Sequence, residues 1–179
     1  MPAISLQDIE HTTRAALVGH GAGAFAATEV ARAVAQAEAH GNRICGLYYV
    51  QSYCQQLQSG RVDGQITPRV TRPKPAVVHV DAGFGFAQPA FAYGLAPALE
   101  AARQNGVATL AIGHAHTCTS LGYFTEQIAR AGFVALGLTN ASPIVAAPGG
   151  KTRVIGTNPI AFSVPDGAGG LAMQFDQST

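Results

Sequence analysis

The sequence predicts an α/β protein with a helical N-terminal segment, and three patterns support this class. In the first third of the 179 residues, apolar side chains recur at helical spacing. In the middle, short apolar runs alternate with helical patterns, as strands and helices do in α/β domains. Glycine, proline and asparagine then interrupt residues 139–165, which is typical of short strands joined by site-lining loops. We therefore expect a helical segment at 1–69 and an α/β region at 76–179.

The first third contains three predicted helices. Ser5 and Asp8 form a capping pair that begins the first helix. The second covers residues 26–40, is rich in alanine and ends where Gly41 can adopt the left-handed conformation of a helix C-terminus. The third covers residues 47–57, whose apolar side chains fall on one face.

Strands and helices alternate after this segment. Three apolar runs have the length of strands, and they are residues 76–81, 107–112 and 133–138. Pro89 suits the first position of a helix between the first two strands, and Pro97 is expected to kink that helix. A second helix is predicted at 121–131. Residues 70–75, rich in proline and arginine, are interpreted as an extended connector.

Composition excludes several classes of protein. Charged residues make up 12% of the chain and the net charge is +1, so no basic surface for nucleic acid is expected. No apolar run is long enough to span a membrane and no signal peptide is evident, which favours a cytoplasmic protein. The 3 cysteines lack CxxC spacing and are expected to be reduced thiols. Low charge with 21 glycines favours a covered surface, hence a homo-oligomer such as a homodimer.

Two short motifs follow the predicted strands. Gly83-Phe84-Gly85 lacks the GxGxxG spacing of a Rossmann fold and is interpreted as a tight turn. His114 and His116 follow the strand 107–112, and both would lie on one face if the extended geometry continued. Either they contribute to a ligand site at the strand end or they are loop histidines without a catalytic role. A metal site is disfavoured because no third ligand stands at motif spacing.

The run Gly156-Thr157-Asn158-Pro159-Ile160-Ala161, preceded by Thr139-Asn140, resembles the type 2 malate/L-lactate dehydrogenase family. Matching pieces extend from Ile4 to Asp176. The resemblance implies a non-Rossmann fold that binds NAD or NADP and acts on small 2-oxo, 2-hydroxy or cyclic 2-imino carboxylates. Family members continue into a second half, so the expected partner is the C-terminal half of the same protein or a second chain.

The resemblance also implies positions for cofactor and substrate. The expected cofactor-binding residues are His116, Thr117, Cys118, Thr119, Ser120, Thr157, Asn158 and Ser178. Asn140 is the expected substrate-binding residue, since amide groups suit a carboxylate or carboxamide. These asparagines equally suit bonds to local backbone, and both interpretations stay open.

The expected catalytic residues are Cys45, His40 and Asp176. The segment 37–46 aligns with a family segment that carries a Ser-His pair for proton transfer, but this chain has Ile44 and Cys45 there. A cysteine thiol can transfer a proton, although less well than imidazole near neutral pH. Alternatively Cys45 is structural, small and buried. Asp176 matches the aspartate that orients the family histidine, or it caps a following helix.

Two functions remain open at this point. The first is hydride transfer between nicotinamide C4 and the C2 of a small 2-oxo or 2-imino acid. The second is a binding or assembly subunit that keeps the fold but lost the proton-transfer pair. The chain end at Thr179 fits a cleavage product or a separately encoded half, and the substrate and the choice between NAD and NADP stay undetermined.

Overall fold

The computed structural model describes residues 4–178, and their contacts divide the chain into two compact units. The first unit ends at Thr119 and the second begins at Ser120. The predicted division into a helical segment at 1–69 and an α/β cofactor-binding region at 76–179 stays a prediction. Among the described residues, no helix has the length and apolar character needed to cross a membrane.

The helices that begin the first unit confirm the predicted helical segment. They are α1 (Leu6–Gly19), α2 (Ala24–Ala39) and α3 (Val50–Gln58), and a 3-10 turn at Leu47–Tyr49 leads into α3. The Ser5 hydroxyl accepts a hydrogen bond from the Asp8 backbone N–H at 3.0 Å, as the capping pattern predicts. Leu17, Val34 and Tyr53, one from each helix, are fully buried in a shared apolar cluster. This cluster is the core of the helical segment.

A three-stranded sheet follows, in the order β1-β2-β3. Its strands are β1 (Arg69–Lys74), β2 (Val77–Asp81) and β3 (Thr109–Gly113). Strand β2 is parallel to β3 and antiparallel to β1. The predicted connector at 70–75 is therefore wrong, because this segment forms an edge strand. Pro73 is tolerated because it lies where the register shifts, and an edge strand can accommodate a residue without an N–H.

Helix α4 (Ala87–Asn105) covers one face of this sheet. It begins two residues before Pro89 and continues through Pro97 to Gly106, whose φ of 78° ends it. A Cβ atom at Gly94 would lie 2.6 Å from Leu110 Cδ1 and 2.7 Å from Val80 Cγ2. Glycine is needed there because the helix lies so close to the strands.

The second unit packs one helix on an antiparallel sheet. It contains α5 (Gly122–Arg130), β4 (Ala135–Leu138), β5 (Val145–Ala146), β6 (Arg153–Ile155), β7 (Ile160–Pro165) and β8 (Leu171–Gln177). The sheet has the order β4-β7-β8, and β5 and β6 form a separate hairpin. Ala161 and Ser163 of β7 are fully buried, and the Ser163 hydroxyl donates to Thr125 Oγ1 of α5 at 2.9 Å.

The other face of this sheet is apolar and exposed. Register pairs Leu136 with Phe162 and Phe162 with Phe175, so the three side chains share one face. We call this surface the apolar sheet face, and its exposed members are Leu136, Leu138, Ile160, Met173 and Phe175. Contiguous apolar surface of this kind normally marks a binding interface.

Candidate active site

The carboxyl ends of β2 and β3 lie side by side because the strands are parallel, with Asp81 opposite Gly113. Asp81 Oδ1 accepts a hydrogen bond from the Gly83 N–H at 3.0 Å and lies 3.0 Å from His114 Nδ1. The Gly83 N–H and the His114 imidazole lower the pKa of Asp81, so the carboxylate is charged at neutral pH. The predicted tight turn at 83–85 is present, and Gly83 has a φ of 56°.

His114 departs from the geometry expected from the strand. Its φ is 50°, so the extended conformation ends at Gly113, and the predicted alignment of His114 and His116 along a continued strand is wrong. Both imidazole rings nonetheless lie beside Phe84, at centroid distances of 5.1 Å for His114 and 6.3 Å for His116. Phe84 has a φ of 64° and is 58% exposed. Phe84 and His114 therefore lie side by side, and both have positive φ values, which are rare for residues other than glycine.

His116 is half-buried and fixed by its backbone. Its N–H donates to the Gly85 carbonyl at 2.8 Å, and its carbonyl accepts from the Ala87 N–H at 3.0 Å. Burial lowers the pKa of His116, and the positive charge of Arg61 lowers it further. A neutral imidazole is therefore favoured at neutral pH.

The loop Thr117–Thr119 is held from two helices. The Gln88 side-chain amide of α4 donates to the carbonyls of Thr117 and Cys118, at 3.1 and 3.2 Å. The Thr117 hydroxyl donates to Gln56 Oε1 of α3 at 3.2 Å. Thr117 and Thr119 have φ values of 51° and 53°, and such strained non-glycine residues cluster at functional sites.

Two buried polar atoms beside this loop have no hydrogen-bond partner among the described residues, namely the Tyr53 hydroxyl and Gln88 Oε1. Burial raises the pKa of Tyr53, and the thiols of Cys45 and Cys118 are close enough to raise it further. Thr119 lies near the Tyr53 hydroxyl but outside hydrogen-bond geometry, and its own proton goes to the Cys118 carbonyl at 2.8 Å. Buried polar atoms are costly when they are unpaired, so a polar partner is expected at each of these two atoms.

The segment 40–46, which carries the predicted catalytic residues His40 and Cys45, forms a turn after α2. Cys45 is half-buried, not fully buried, and its N–H donates to the Asn42 carbonyl at 3.1 Å. Ile44 is 66% exposed. His40 lies exposed at the C-terminal cap of α2. Of these residues, Cys45 lies close enough to Tyr53 to affect its pKa.

Asp176 caps a helix that precedes it in the chain. Its Oδ2 accepts hydrogen bonds from the Ser120 hydroxyl at 3.0 Å and from the Gly122 N–H at 2.8 Å, at the start of α5. The Gln174 side chain donates to the Gly122 carbonyl at 3.0 Å. Asp176 therefore fixes Ser120, one of the predicted cofactor-binding residues, while Ser178 follows β8 and is exposed.

Two of the predicted polar residues of the second unit, Asn140 and Asn158, line an open cavity of about 400 Å³. Its lining residues are Leu138, Thr139, Asn140, Asn158, Pro159 and Ile160. Asn158 has a φ of 38°, and its Oδ1 accepts from the Ala141 N–H at 3.0 Å, so part of this amide serves local backbone. Thr157 is half-buried beside it, and Asn140 is exposed at the rim. Within residues 4–178 no cluster of three or more His, Cys, Asp or Glu side chains could hold a metal ion.

Sequence reasoning missed the paired Asp81 and His114 and the unpaired Tyr53 and Gln88. A signal for the first pair was present, because each residue follows or ends a predicted strand and parallel strands share a carboxyl edge. No local signal marks Tyr53 or Gln88, whose helical positions fit ordinary core residues.

The sequence and the fold match a known family. The sequence profile described as malate/L-lactate dehydrogenase matches residues 4–179. The chain therefore belongs to the malate/L-lactate dehydrogenase family.

Several relatives have named activities. The Delta(1)-pyrroline-2-carboxylate/Delta(1)-piperideine-2-carboxylate reductase of Pseudomonas syringae pv. tomato is 37% identical over 98% of this chain and 51% of the reductase. The (2R)-3-sulfolactate dehydrogenase (NADP(+)) of Chromohalobacter salexigens is 39% identical over 90% of this chain and 48% of its own length. The ureidoglycolate dehydrogenase (NAD(+)) of Escherichia coli K12 is 34% identical over 86% of this chain and 44% of its own length.

A solved structure shows the same fold. The crystal structure of delta1-piperideine-2-carboxylate reductase from Pseudomonas syringae pv. tomato has a TM-score of 0.90 and 34% identity, covering 100% of this chain and 54% of that one. The chain spans about half the length of the relatives it matches.

Proposed function

We propose that this chain forms the cofactor-binding part of an NAD(P)-dependent oxidoreductase acting on small 2-oxo, 2-hydroxy or cyclic 2-imino carboxylates. Family membership over residues 4–179 supports this function, and the relatives are named as reductases and dehydrogenases of such acids. The alternative of a binding or assembly subunit has no comparable support. The observation that carries the proposal is the strained, helix-anchored loop Thr117–Thr119 with unpaired polar atoms beside it.

This loop fits a nicotinamide. A carboxamide offers both N–H donors and a carbonyl acceptor, which can complement the hydroxyl and backbone groups of Thr117–Thr119. The proposed cofactor-binding residues are His116, Thr117, Cys118, Thr119, Ser120, Thr157, Asn158 and Ser178. When bound, the nicotinamide supplies the hydride and its two electrons. Relatives named for NADP(+) and NAD(+) both occur, so either dinucleotide is a candidate.

The substrate end is proposed to involve Asn140. Its side chain lies at the rim of the second unit's cavity, where an amide N–H can donate to a carboxylate. Catalysis also needs a proton beside the hydride, and the Ser-His pair of the family is absent. The candidates from the sequence are Cys45 and His40, with Asp176 in a supporting role through Ser120.

The apolar sheet face is proposed to be covered by the C-terminal half of the same protein or by a second chain. Leu136 and Leu138 are 63% and 66% exposed, and large apolar side chains with this exposure are typical of a protein–protein interface. The relatives have about as much chain again beyond the matched part, which is long enough to supply such a cover. A homo-oligomer, such as a homodimer, is the expected assembly.

The test is cofactor binding by the complete native protein, followed by assay. Quenching of NADH or NADPH fluorescence should show saturable binding, and reduction of 2-oxo or cyclic 2-imino acids should consume the bound cofactor. Gln88→Met should weaken dinucleotide binding about tenfold, because the loop carbonyls of Thr117 and Cys118 lose their hydrogen-bond donor. A tenfold change corresponds to about 1.4 kcal/mol, the size expected for one hydrogen-bonding group. Gln104→Met, on the exposed side of the same helix, is the control. Absence of binding to both dinucleotides would refute the proposal.

A further inference from the structure

The pair formed by Asp81 and His114 has the geometry of a proton-transfer unit. His114 Nδ1 lies 3.0 Å from Asp81 Oδ1, and Asp81 is held as a charged carboxylate by the Gly83 N–H. A carboxylate in this position fixes the orientation of the imidazole ring. Because Nδ1 faces Asp81, Nε2 is the nitrogen left to exchange a proton with another molecule.

The His114 ring is also accessible. Its side chain is 61% exposed, whereas that of Asp81 is 27% exposed. The two residues lie at the carboxyl edge of parallel strands, where ligands of α/β folds commonly bind. His114 also lies two positions before His116, the first residue of the segment His116–Ser120 that is proposed to contact the cofactor.

The backbone of His114 indicates that this orientation is maintained against strain. A φ of 50° is unfavourable for histidine and natural for glycine, yet the chain places an imidazole here. Phe84, itself at a φ of 64°, packs against the ring at 5.1 Å and restricts its rotation. Strain of this kind is usually retained where it positions a functional group.

The surrounding charges are few. Arg69 of β1 lies 3.9 Å from Asp81 Oδ2 and supports its ionised state. The His116 ring also lies beside Phe84, and burial and the charge of Arg61 lower its pKa, so less of it is protonated at neutral pH. Cys45 is the competing candidate, but a thiol matches proton transfer near neutral pH less well than imidazole does.

We propose that His114 is the general acid–base residue of this protein, with Asp81 as its positioning residue. The assignment rests on the proposed oxidoreductase function. In reduction of a 2-oxo acid, a hydride reaches C2 as the carbonyl π bond breaks, and Nε2 of His114 gives its proton to the oxygen. The products are a 2-hydroxy acid, oxidised nicotinamide and neutral imidazole, which regains its proton from water. For a cyclic imine the same proton goes to nitrogen.

The test compares variants in the complete native protein. His114→Gln keeps a donor for Asp81 but cannot exchange a proton, so kcat for reduction should fall about 100-fold. Dinucleotide binding, measured by fluorescence quenching, should be unchanged. His114→Gly suits the left-handed backbone, and added imidazole should raise its rate in proportion to concentration. Asp81→Asn should lower kcat and change its pH profile, while His11→Gln, an exposed histidine on α1, should match the wild type.

Each other outcome has a defined meaning. A kcat in His114→Gln equal to that of the wild type would overturn the assignment. Loss of dinucleotide binding together with turnover, without imidazole rescue, would assign His114 a structural role and overturn it as well. A wild-type protein that neither binds a dinucleotide nor reduces any tested acid would instead refute the proposed function, and this inference with it.

Discussion

The two sheets of this protein are both covered by a helix on one face, but their other faces differ. In the first unit, the face away from α4 carries Thr71, His79 and Ala111, which lie opposite one another in register. In the second unit, the face away from α5 carries Leu136, Phe162 and Phe175 in the same arrangement. A polar or small-residue face can remain in water, whereas an apolar one is normally covered. The outer face of the first sheet is therefore compatible with water, and the apolar sheet face is the better candidate for an interface.

The largest expected effect on stability comes from a substitution where α4 packs on the first sheet. Gly94→Val should reduce the free energy of unfolding of the first unit by about 3 kcal/mol, because the new side chain must fit against Val80 and Leu110. Ala96→Val, on the exposed side of the same helix, is the control. Urea denaturation followed by circular dichroism measures both. Equal stability of the two variants would contradict the close approach of α4 to the sheet.

The uncovered side of the second sheet gives the sharpest test of the comparison. Leu138→Glu together with Phe175→Glu should weaken association with the covering partner at least tenfold, or about 1.4 kcal/mol, since charges would be buried in an apolar interface. Thr71→Glu on the outer face of the first sheet is the matched control and should leave association unchanged. Sedimentation velocity or size exclusion with light scattering measures the assembly. If the double variant and Thr71→Glu associate equally well, the apolar sheet face is not the interface.

The covered side of the second sheet gives a smaller effect. Ser163→Ala should lower the free energy of unfolding by about 1 kcal/mol, because the buried Thr125 hydroxyl and the Gln174 amide each lose a hydrogen-bond partner. Ser142→Ala, an exposed position in a loop of the same unit, controls for loss of a hydroxyl. Thermal unfolding would show whether the buried position alone responds.

The smallest effect concerns acid stability at the exposed strand end. The pKa of Asp81 is lowered in the folded protein, so its contribution to stability is present above the unfolded pKa of about 4 and is lost as pH falls through the lower folded value. Asp81→Asn should therefore lower stability slightly at neutral pH and flatten the decline below about pH 4. Urea midpoints between neutral and acidic pH measure this. A parallel decline in wild type and variant would contradict the contribution of the Asp81 hydrogen bonds.

Much of the architecture follows from local sequence patterns. The capping pair at Ser5 and Asp8, the helical periodicity and the apolar strand runs all predict elements that the structure contains. The segment 70–75 was misjudged because proline argues against a strand, and only pairing at the sheet edge makes it acceptable. The histidine pair was misplaced because alternation along a strand cannot foresee where the chain turns to a positive φ.

The candidate site is less predictable from the sequence than the architecture is, because it depends on contacts between distant residues. The sequence alone indicated the family, through the run 156–161, and drew attention to Cys45 by contrast with the family pattern. It could not pair Asp81 with His114, which are 33 residues apart and meet only because β2 and β3 lie parallel. It also could not show that Tyr53 and Gln88 retain unpaired polar atoms, since that depends on every neighbour.

The sequence by itself determined the elements, because helix periodicity, caps and turns are set by residues close in the chain. It also determined that β7 alternates small and large side chains. Only the tertiary structure decided which side of that strand is covered. Helix α5 packs on the small side, where a Cβ at Gly137 would lie 2.9 Å from Thr125 Cγ2, so the large apolar side chains are left exposed. Close packing of distant residues, which no local pattern encodes, made that choice.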